Sequence, residues 1–199
     1  MKKVLLIGDS ITGGYTQKVT ELLDGKYEVY KVPDNCRFSA YTLNCSRFWL
    51  GQQKLPEIKF SLENPDIIHW NNGLWDTAHI NGEGKPFCDI DQYVSNMERI
   101  LEYFRKVTTA KIILATTTPT RKEKENDTAV AHFVSEIRKY NQALLERIGD
   151  KVDGITDLFA LVEPQINKVI KTEDLIHLTD YGKEVCGNAV AQSIINADK

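Results

Sequence analysis

The sequence predicts an α/β fold, a three-layer α/β/α sandwich around a five-stranded parallel sheet with the flavodoxin-like strand order 2-1-3-4-5. Short apolar runs bounded by turn-forming residues recur along the chain, as is typical of strands buried on both faces of a parallel sheet. Amphipathic segments separate these runs, which indicates helices that join parallel strands through right-handed crossovers. A chain of 199 residues, 42% of them hydrophobic, suits one core, so we expect a single domain over residues 1–199.

The individual elements follow from these patterns in chain order. The apolar runs predict five strands, at residues 4–7, 27–32, 65–73, 111–116 and 152–156. Helical spacing of apolar residues predicts helices at 15–23, 42–50, 91–107, 129–148 and 179–196, with a weaker tendency at 159–170. The remaining polar or glycine-rich segments are predicted as loops, at 35–41, 80–86 and 121–127.

The charge balance and the composition exclude several function classes. The net charge is −3, and basic residues alternate with acidic ones, so no electrostatic footprint for nucleic acid exists. No run approaches the roughly 18 apolar residues of a membrane span, and the apolar run after Lys3 is too short for a signal peptide. We therefore expect a cytoplasmic protein whose partner is a small molecule, with no nucleic-acid or membrane partner. None of these features bears on the oligomeric state.

The cysteines and histidines lack the spacing of metal ligands. No two cysteines form a CxxC pair, and no two histidines stand at HExxH spacing. We therefore expect reduced, partly buried thiols and no bound metal, the four cysteines being Cys36, Cys45, Cys88 and Cys186.

Polar residues end the first predicted strand, where Gly8, Asp9 and Ser10 follow four apolar residues. In open parallel sheets, ligands bind beyond the carboxyl ends of the strands, so Ser10 lies where chemistry is usually performed. Taken alone, however, Asp9 and Ser10 are also residue types that cap a following helix. From this stretch alone, capping is the simpler interpretation.

Two further polar groups extend this site. Asn71 and Asn72 leave the third strand, which flanks the switch point of the sheet beside the first. Asp174 precedes His177 by three residues, a spacing that lets a carboxylate orient one ring nitrogen while the other faces a nucleophile. A surface or capping histidine would be the simpler interpretation of His177 alone. Together with Ser10, these residues predict a nucleophilic serine site.

The same residues resemble the motifs of GDSL-type esterases and lipases of the SGNH hydrolase superfamily. Gly8 to Ser10 resemble the first block, residues 35–42 the second, residues 66–76 the third, and Asp174 with His177 the last, so the resemblance spans nearly the whole chain. It implies Ser10 as nucleophile, His177 as general base, Asp174 as orienting acid, and no cofactor.

The resemblance also implies an oxyanion hole, formed by the backbone N–H groups of Ser10 and Ala40 and by an asparagine amide. Ala40 stands where the family usually has glycine, which a backbone donor tolerates. Trp75 stands at the usual asparagine position and cannot supply an amide. Alternation along the strand favours Asn71 as the replacement, with Asn72 second. The alternative is that both amides only satisfy turn backbone.

Three further residues are predicted to contact substrate: Asp9, Arg37 and Trp75. Trp75 offers a stacking surface for a sugar ring or an acyl chain, and Arg37 offers a partner for an anionic group, although a solvated arginine fits equally well. His69 is interpreted as a hydrogen-bonded core residue. No partner is identifiable for His79 or His132.

These observations favour a serine esterase acting on a small ester through an acyl-enzyme intermediate. We expect a short acyl group such as acetyl, including acetyl carried on a carbohydrate. One alternative is a thioesterase or lysophospholipase-type acyl hydrolase, and another is a non-catalytic binding module on the same fold. A flavodoxin-like nucleotide or flavin binder is disfavoured because residues 8–14 match neither glycine pattern of such sites.

Overall fold

The computed structural model describes residues 1–199, and a five-stranded parallel sheet forms its centre. The sheet order is β2-β1-β3-β5-β7, which is the predicted order when the five strands of this sheet are counted alone. Two additional short strands, β4 and β6, pair with each other in an antiparallel ribbon outside the sheet. The strands are β1 Lys2–Ile7, β2 Tyr27–Lys31, β3 Ile67–Asn71, β4 His79–Ile80, β5 Lys111–Ala115, β6 Val130–Ala131 and β7 Gly154–Thr156.

Helices cover both faces of the sheet and complete the three layers. The α-helices are α1 Ser10–Leu23, α2 Ser39–Trp49, α3 Ile90–Val107, α4 Val134–Ile148, α5 Leu158–Val162, α6 Ile166–Val169 and α7 Asp180–Ala197. Short 3-10 helices occupy Lys122–Asn126, Gly149–Lys151 and Glu163–Gln165.

Alternation along β1 divides the core into two. Val4 and Leu6 pack in the cluster formed with α1 and α7, whereas Leu5 and Ile7 pack in the cluster formed with α2, α3 and α4. All four side chains are fully buried. Successive strand residues point to opposite faces, so the continuous apolar run is explained by helices on both sides of β1, as the sequence predicts.

Three helices begin at least three residues away from their predicted starts. Helix α1 begins at Ser10 rather than at residue 15, because the Asp9 side chain caps it by accepting the Ile11 N–H at 2.9 Å. Helix α2 begins at Ser39 rather than 42, because Asp76, distant in sequence, holds its first turn. The segment 129–148 is not helical at its start, since Val130–Ala131 pairs with β4.

Other features concern metal binding and membranes. The four cysteines are free thiols, and no group of three histidine, cysteine or acidic side chains is arranged to hold a metal ion. No helix combines the length and apolar character needed to cross a membrane.

Candidate functional site

The structure brings Ser10, His177 and Asp174 into one hydrogen-bonded series. His177 Nε2 lies 2.9 Å from Ser10 Oγ, and His177 Nδ1 lies 3.0 Å from Asp174 Oδ2. When Nδ1 donates its proton to the carboxylate, Nε2 is left to accept a proton from the serine hydroxyl. The arrangement therefore has the geometry of a base-activated nucleophile.

Each of these side chains is held by the backbone around it. Ser10 is the first residue of α1, just beyond the end of β1, and a Cβ at position 8 would lie 2.1 Å from Thr12 Oγ1, so only glycine allows this tight strand-to-helix turn. In the loop before α7, Asp174 Oδ1 accepts the N–H groups of Ile176 at 2.9 Å and His177 at 2.7 Å. One carboxylate thus shapes the loop with Oδ1 and orients the imidazole with Oδ2.

Asp174 stays ionised in this setting. Desolvation by partial burial alone would raise its pKa, but the N–H groups of His177 and Ile176 and the His177 ring hold the pKa below its ordinary value of 3.8. The His177 and Asp174 side chains are 43% and 40% exposed, so the series opens to solvent and to a substrate.

The first turn of α2 is fixed by a buried carboxylate. Asp76 accepts the Ser39 N–H at 3.0 Å and the Ser39 hydroxyl at 2.6 Å, and Asn96 donates to the same hydroxyl at 3.0 Å. Burial raises the pKa of Asp76 to about 6, against the Ser39 hydrogen bonds that lower it. The Ala40 N–H donates to no protein group, and neither does the N–H of Ser10. Both predicted backbone donors of an oxyanion hole are therefore free to bind a ligand.

The two asparagines are placed differently from each other. Asn71 Nδ2 donates to the carbonyls of Ala115 at 3.1 Å and Thr116 at 3.2 Å, so this amide fastens β3 to the neighbouring strand. Asn72 is fully buried, its Nδ2 donates to the Arg37 carbonyl at 2.9 Å, and its Oδ1 accepts the Trp70 indole N–H at 2.8 Å. Two acceptors are bonded to the Asn71 amide and one to the Asn72 amide, and neither asparagine lines the cavity described below. The order of preference between them therefore stays a prediction.

Ser10 and His177 open onto a cavity of about 340 Å³, a volume at the low end for small-molecule sites. Trp75, which is 40% exposed, forms part of its wall, as the sequence predicts for a substrate-binding residue. The other apolar wall residues are aliphatic, namely Leu74, Ala78, Ile80, Val130 and Ile176. No acidic, lysine or arginine side chain lines the cavity, so it fits an uncharged and largely apolar group.

The other two predicted substrate contacts do not reach this cavity. The Arg37 guanidinium lies 3.9 Å from Asp34 and 4.8 Å from the centroid of the Tyr41 ring. Asp9 is 1% exposed and serves as the α1 cap, and its second oxygen, Oδ2, has no partner. Of the predicted substrate contacts, only Trp75 lines the cavity.

Burial of Asp9 predicts a distinct dependence of stability on pH. Desolvation raises its pKa from 3.8 to about 6, against the Ile11 N–H and the His177 charge that lower it. The folded state therefore holds a proton that the unfolded state releases, and the free energy of unfolding falls as pH rises from about 4 to 6.

Asp9→Asn keeps the cap acceptor without the charge. Between pH 4 and pH 7, we expect the free energy of unfolding of this variant, measured in urea, to rise by about 2 kcal/mol relative to that of wild type. Parallel pH profiles for the two proteins would contradict this assignment.

The ribbon of β4 and β6 forms part of the site, although no sequence pattern predicts it. Ile80 of β4, Val130 of β6 and His132 line the cavity. The ribbon is tied to α4, because His79 Nε2 lies 2.6 Å from a Glu136 carboxylate oxygen. The partners lie 57 residues apart, and no local sequence signal joins them. His69, by contrast, is the core residue expected, buried with Nε2 3.2 Å from Thr156 Oγ1.

Comparisons with known proteins agree with this architecture. No protein-family model and no curated protein sequence matches the chain. Among solved structures, an acetyl xylan esterase called AlAXEase is similar at a TM-score of 0.73 and 20% identity, covering 96% of this chain and 99% of that one. A lipase/acylhydrolase from Enterococcus faecalis is similar at a TM-score of 0.74 and 16% identity, covering 98% and 96%. An acetylxylan esterase from Geobacillus stearothermophilus is similar at 0.69 and 16% identity, covering 97% and 94%. The chain therefore shares the complete fold of these hydrolases.

Proposed function

We propose that the chain is a GDSL-type serine esterase that hydrolyses small, uncharged esters. The observation that carries this proposal is the hydrogen-bonded series from Ser10 through His177 to Asp174, open to solvent beside an apolar cavity. The similarity in fold to acetyl xylan esterases and to a lipase/acylhydrolase supports the same reaction class.

The proposed reaction has two halves that use the same groups. His177 Nε2 takes the proton of Ser10 as its Oγ attacks the ester carbonyl carbon, and Asp174 stabilises the resulting imidazolium. The tetrahedral intermediate then collapses, His177 gives its proton to the leaving alcohol, and an acyl group remains on Ser10. Water then attacks this acyl group while His177 Nε2 takes one of its protons. As the second tetrahedral intermediate collapses, His177 gives this proton to Ser10 Oγ, which restores the hydroxyl and releases the acid.

The negative oxygen of the intermediate requires donors aimed at one point. We assign this role to the free N–H groups of Ser10 and Ala40 and to the remaining N–H of Asn72. Ala40 lies in the first turn of α2, where unpaired N–H groups and the helix dipole favour negative charge. Asp76 and Ser39 keep this turn in place.

Replacing each asparagine separately tests the oxyanion assignment. Loss of an oxyanion donor typically lowers kcat by 10²- to 10³-fold, so we expect about that loss for Asn72→Ala. Each change also removes two buried hydrogen bonds, which join Asn71 to the Ala115 and Thr116 carbonyls and Asn72 to the Arg37 carbonyl and the Trp70 indole, so we expect each to cost about 1–3 kcal/mol of stability. For folded Asn71→Ala we expect a smaller change in kcat than for folded Asn72→Ala. Steady-state kinetics and urea unfolding of both variants decide the matter. The opposite pattern would assign the oxyanion to Asn71.

The cavity favours small substrates over long-chain lipids. Its volume of about 340 Å³ accommodates a short acyl group or a single ring, including the ring of an acetylated carbohydrate. We therefore expect kcat/KM for p-nitrophenyl esters to be highest for short acyl chains and to fall for long ones. Rates that rise steadily with chain length would favour the lysophospholipase-type alternative.

A fluorophosphonate probe tests whether the site is reactive at all. An activated serine hydroxyl reacts with this probe, whereas an ordinary serine does not. We expect one label per chain, located at Ser10 by peptide mass spectrometry and abolished by prior heat denaturation. Absence of the label in folded protein would indicate a binding module without catalysis.

A further inference from the structure

One wall of the catalytic cavity carries a buried polar side chain without a partner. His132 follows β6, lines the cavity and is only 3% exposed. Its ring makes no hydrogen bond within the protein, and its Nδ1 is completely enclosed. The other three histidines each bond at least one protein group. Because Nδ1 is enclosed, Nε2 is the ring nitrogen available to a ligand in the cavity.

His132 Nε2 makes no hydrogen bond within the protein and, unlike Nδ1, is not fully enclosed, so a ligand in the cavity can supply the partner that the protein does not. Asn35, the other polar wall residue apart from Ser10 and His177, is half-buried and accepts the Arg37 N–H at 3.0 Å. Water reaches Asn35 more readily than it reaches His132. His132 Nε2 is therefore a polar atom of the wall that has no protein partner and can bind a hydrogen-bonding group of the substrate.

The chemistry of the ring selects the kind of group that it binds. Burial, with the nearby positive charge of Lys124, lowers the pKa of His132 to about 4, so the imidazole is neutral near pH 7. A neutral imidazole presents either a donor or an acceptor at Nε2, depending on its tautomer. A hydroxyl satisfies both tautomers, because it donates and accepts. The absence of ionic side chains in the wall disfavours a charged substrate group.

We infer that His132 is a specificity-determining residue that binds a hydroxyl group of the ester. The part of the substrate that occupies the cavity is then a largely apolar skeleton that carries a hydroxyl. This inference rests on the proposed esterase activity and narrows its substrate class. The hydroxyl belongs either to the acyl group or to the alcohol, and both give the same contact with Nε2.

Matched esters that differ by one hydroxyl test the inference. On the alcohol side, cyclohexyl acetate is compared with its 2-, 3- and 4-hydroxy analogues. On the acyl side, p-nitrophenyl cyclohexanecarboxylate is compared with its 2-, 3- and 4-hydroxy analogues. We expect at least one analogue on one side to exceed its parent in kcat/KM by about tenfold in wild type. The side on which the preference appears identifies the half of the ester that occupies the cavity.

Three variants attribute the preference to the ring. His132→Leu removes the hydrogen bond and should reduce the ratio of hydroxylated to parent kcat/KM to about one or less. His132→Gln places an amide near the position of Nε2 and should keep part of the preference, which loss of packing alone would not explain. Ser95→Ala, an exposed change on α3 outside the cavity, is the control and should leave the ratio as in wild type.

The outcomes separate this inference from the proposed function. If wild type hydrolyses the parent esters through Ser10 but prefers no hydroxylated analogue, His132 does not bind a hydroxyl and the esterase assignment stands. A preference that persists in His132→Leu overturns the inference in the same way. If no ester is hydrolysed and no fluorophosphonate label forms, both proposals fail together.

Discussion

Ser10→Ala is expected to lower kcat for p-nitrophenyl acetate by about 10⁴- to 10⁶-fold, the scale found when the nucleophile of a catalytic triad is removed. The hydroxyl makes one hydrogen bond, to His177, and Asp9 rather than Ser10 caps the helix. Alanine therefore removes the reacting group without removing a structural contact of the first turn. The free energy of unfolding, measured by thermal denaturation, should change by less than about 1 kcal/mol.

Ser95→Ala is the matched control for this variant. Ser95 lies exposed on α3, and its replacement should leave kcat/KM unchanged. The comparison is made with freshly folded protein at several enzyme concentrations, so that contaminating esterases are recognised. A folded Ser10→Ala protein with more than a tenth of wild-type activity would assign the chemistry to another residue.

Asp174→Asn should lower kcat by about 10⁴-fold, which is the effect of the same change in a well-studied triad. The two carboxylate oxygens have separate tasks, because Oδ1 accepts two backbone N–H groups and Oδ2 accepts from the His177 ring. Asparagine can keep the first task with its carbonyl oxygen. Its NH₂ group cannot accept from Nδ1, so the ring loses the tautomer that leaves Nε2 basic.

Asp174→Ala provides the comparison, because it removes both tasks. We expect it to lower kcat at least as far and also to reduce the free energy of unfolding by about 1–3 kcal/mol, since two N–H groups lose their acceptor. The double variant with Ser10→Ala should be no slower than Ser10→Ala alone, since the residues of a triad act as a unit. Additive losses would show that Asp174 acts independently of Ser10.

The strands of the sheet were predictable from the sequence because each is marked by an apolar pattern within its own few residues. Runs such as Val4 to Ile7 indicate burial on both faces of a strand. The predicted order is one of the common orders of doubly wound parallel sheets. The start of α1 was missed although its cap, Asp9, is adjacent, and the other two errors lie where a distant residue decides. Asp76 sets the start of α2 from 37 residues away, and pairing with β4 draws Val130 and Ala131 out of the predicted helix.

The candidate site divides in the same way. Ser10, Asp174 and His177 were predictable because each stands at an element boundary with a characteristic spacing. The hydrogen bonds of the two asparagines were not predictable, because their acceptors, the carbonyls of Arg37 and Ala115, are brought to the amides from other elements by the fold. His132 was not predictable as part of the site, because the sequence does not show that its ring lacks a hydrogen-bond partner within the protein.

The antiparallel ribbon of β4 and β6 contributes to the shape of the cavity but carries none of the proposed reacting groups. It supplies cavity wall through Ile80 and Val130, yet pairs with no strand of the main sheet, and its attachment to the body includes the contact between His79 and Glu136. Ser10 and its partners lie at the ends of other elements. Substitutions of Ile80 and Val130 are therefore expected to reshape the cavity wall without altering the five-stranded sheet or the series from Ser10 to Asp174.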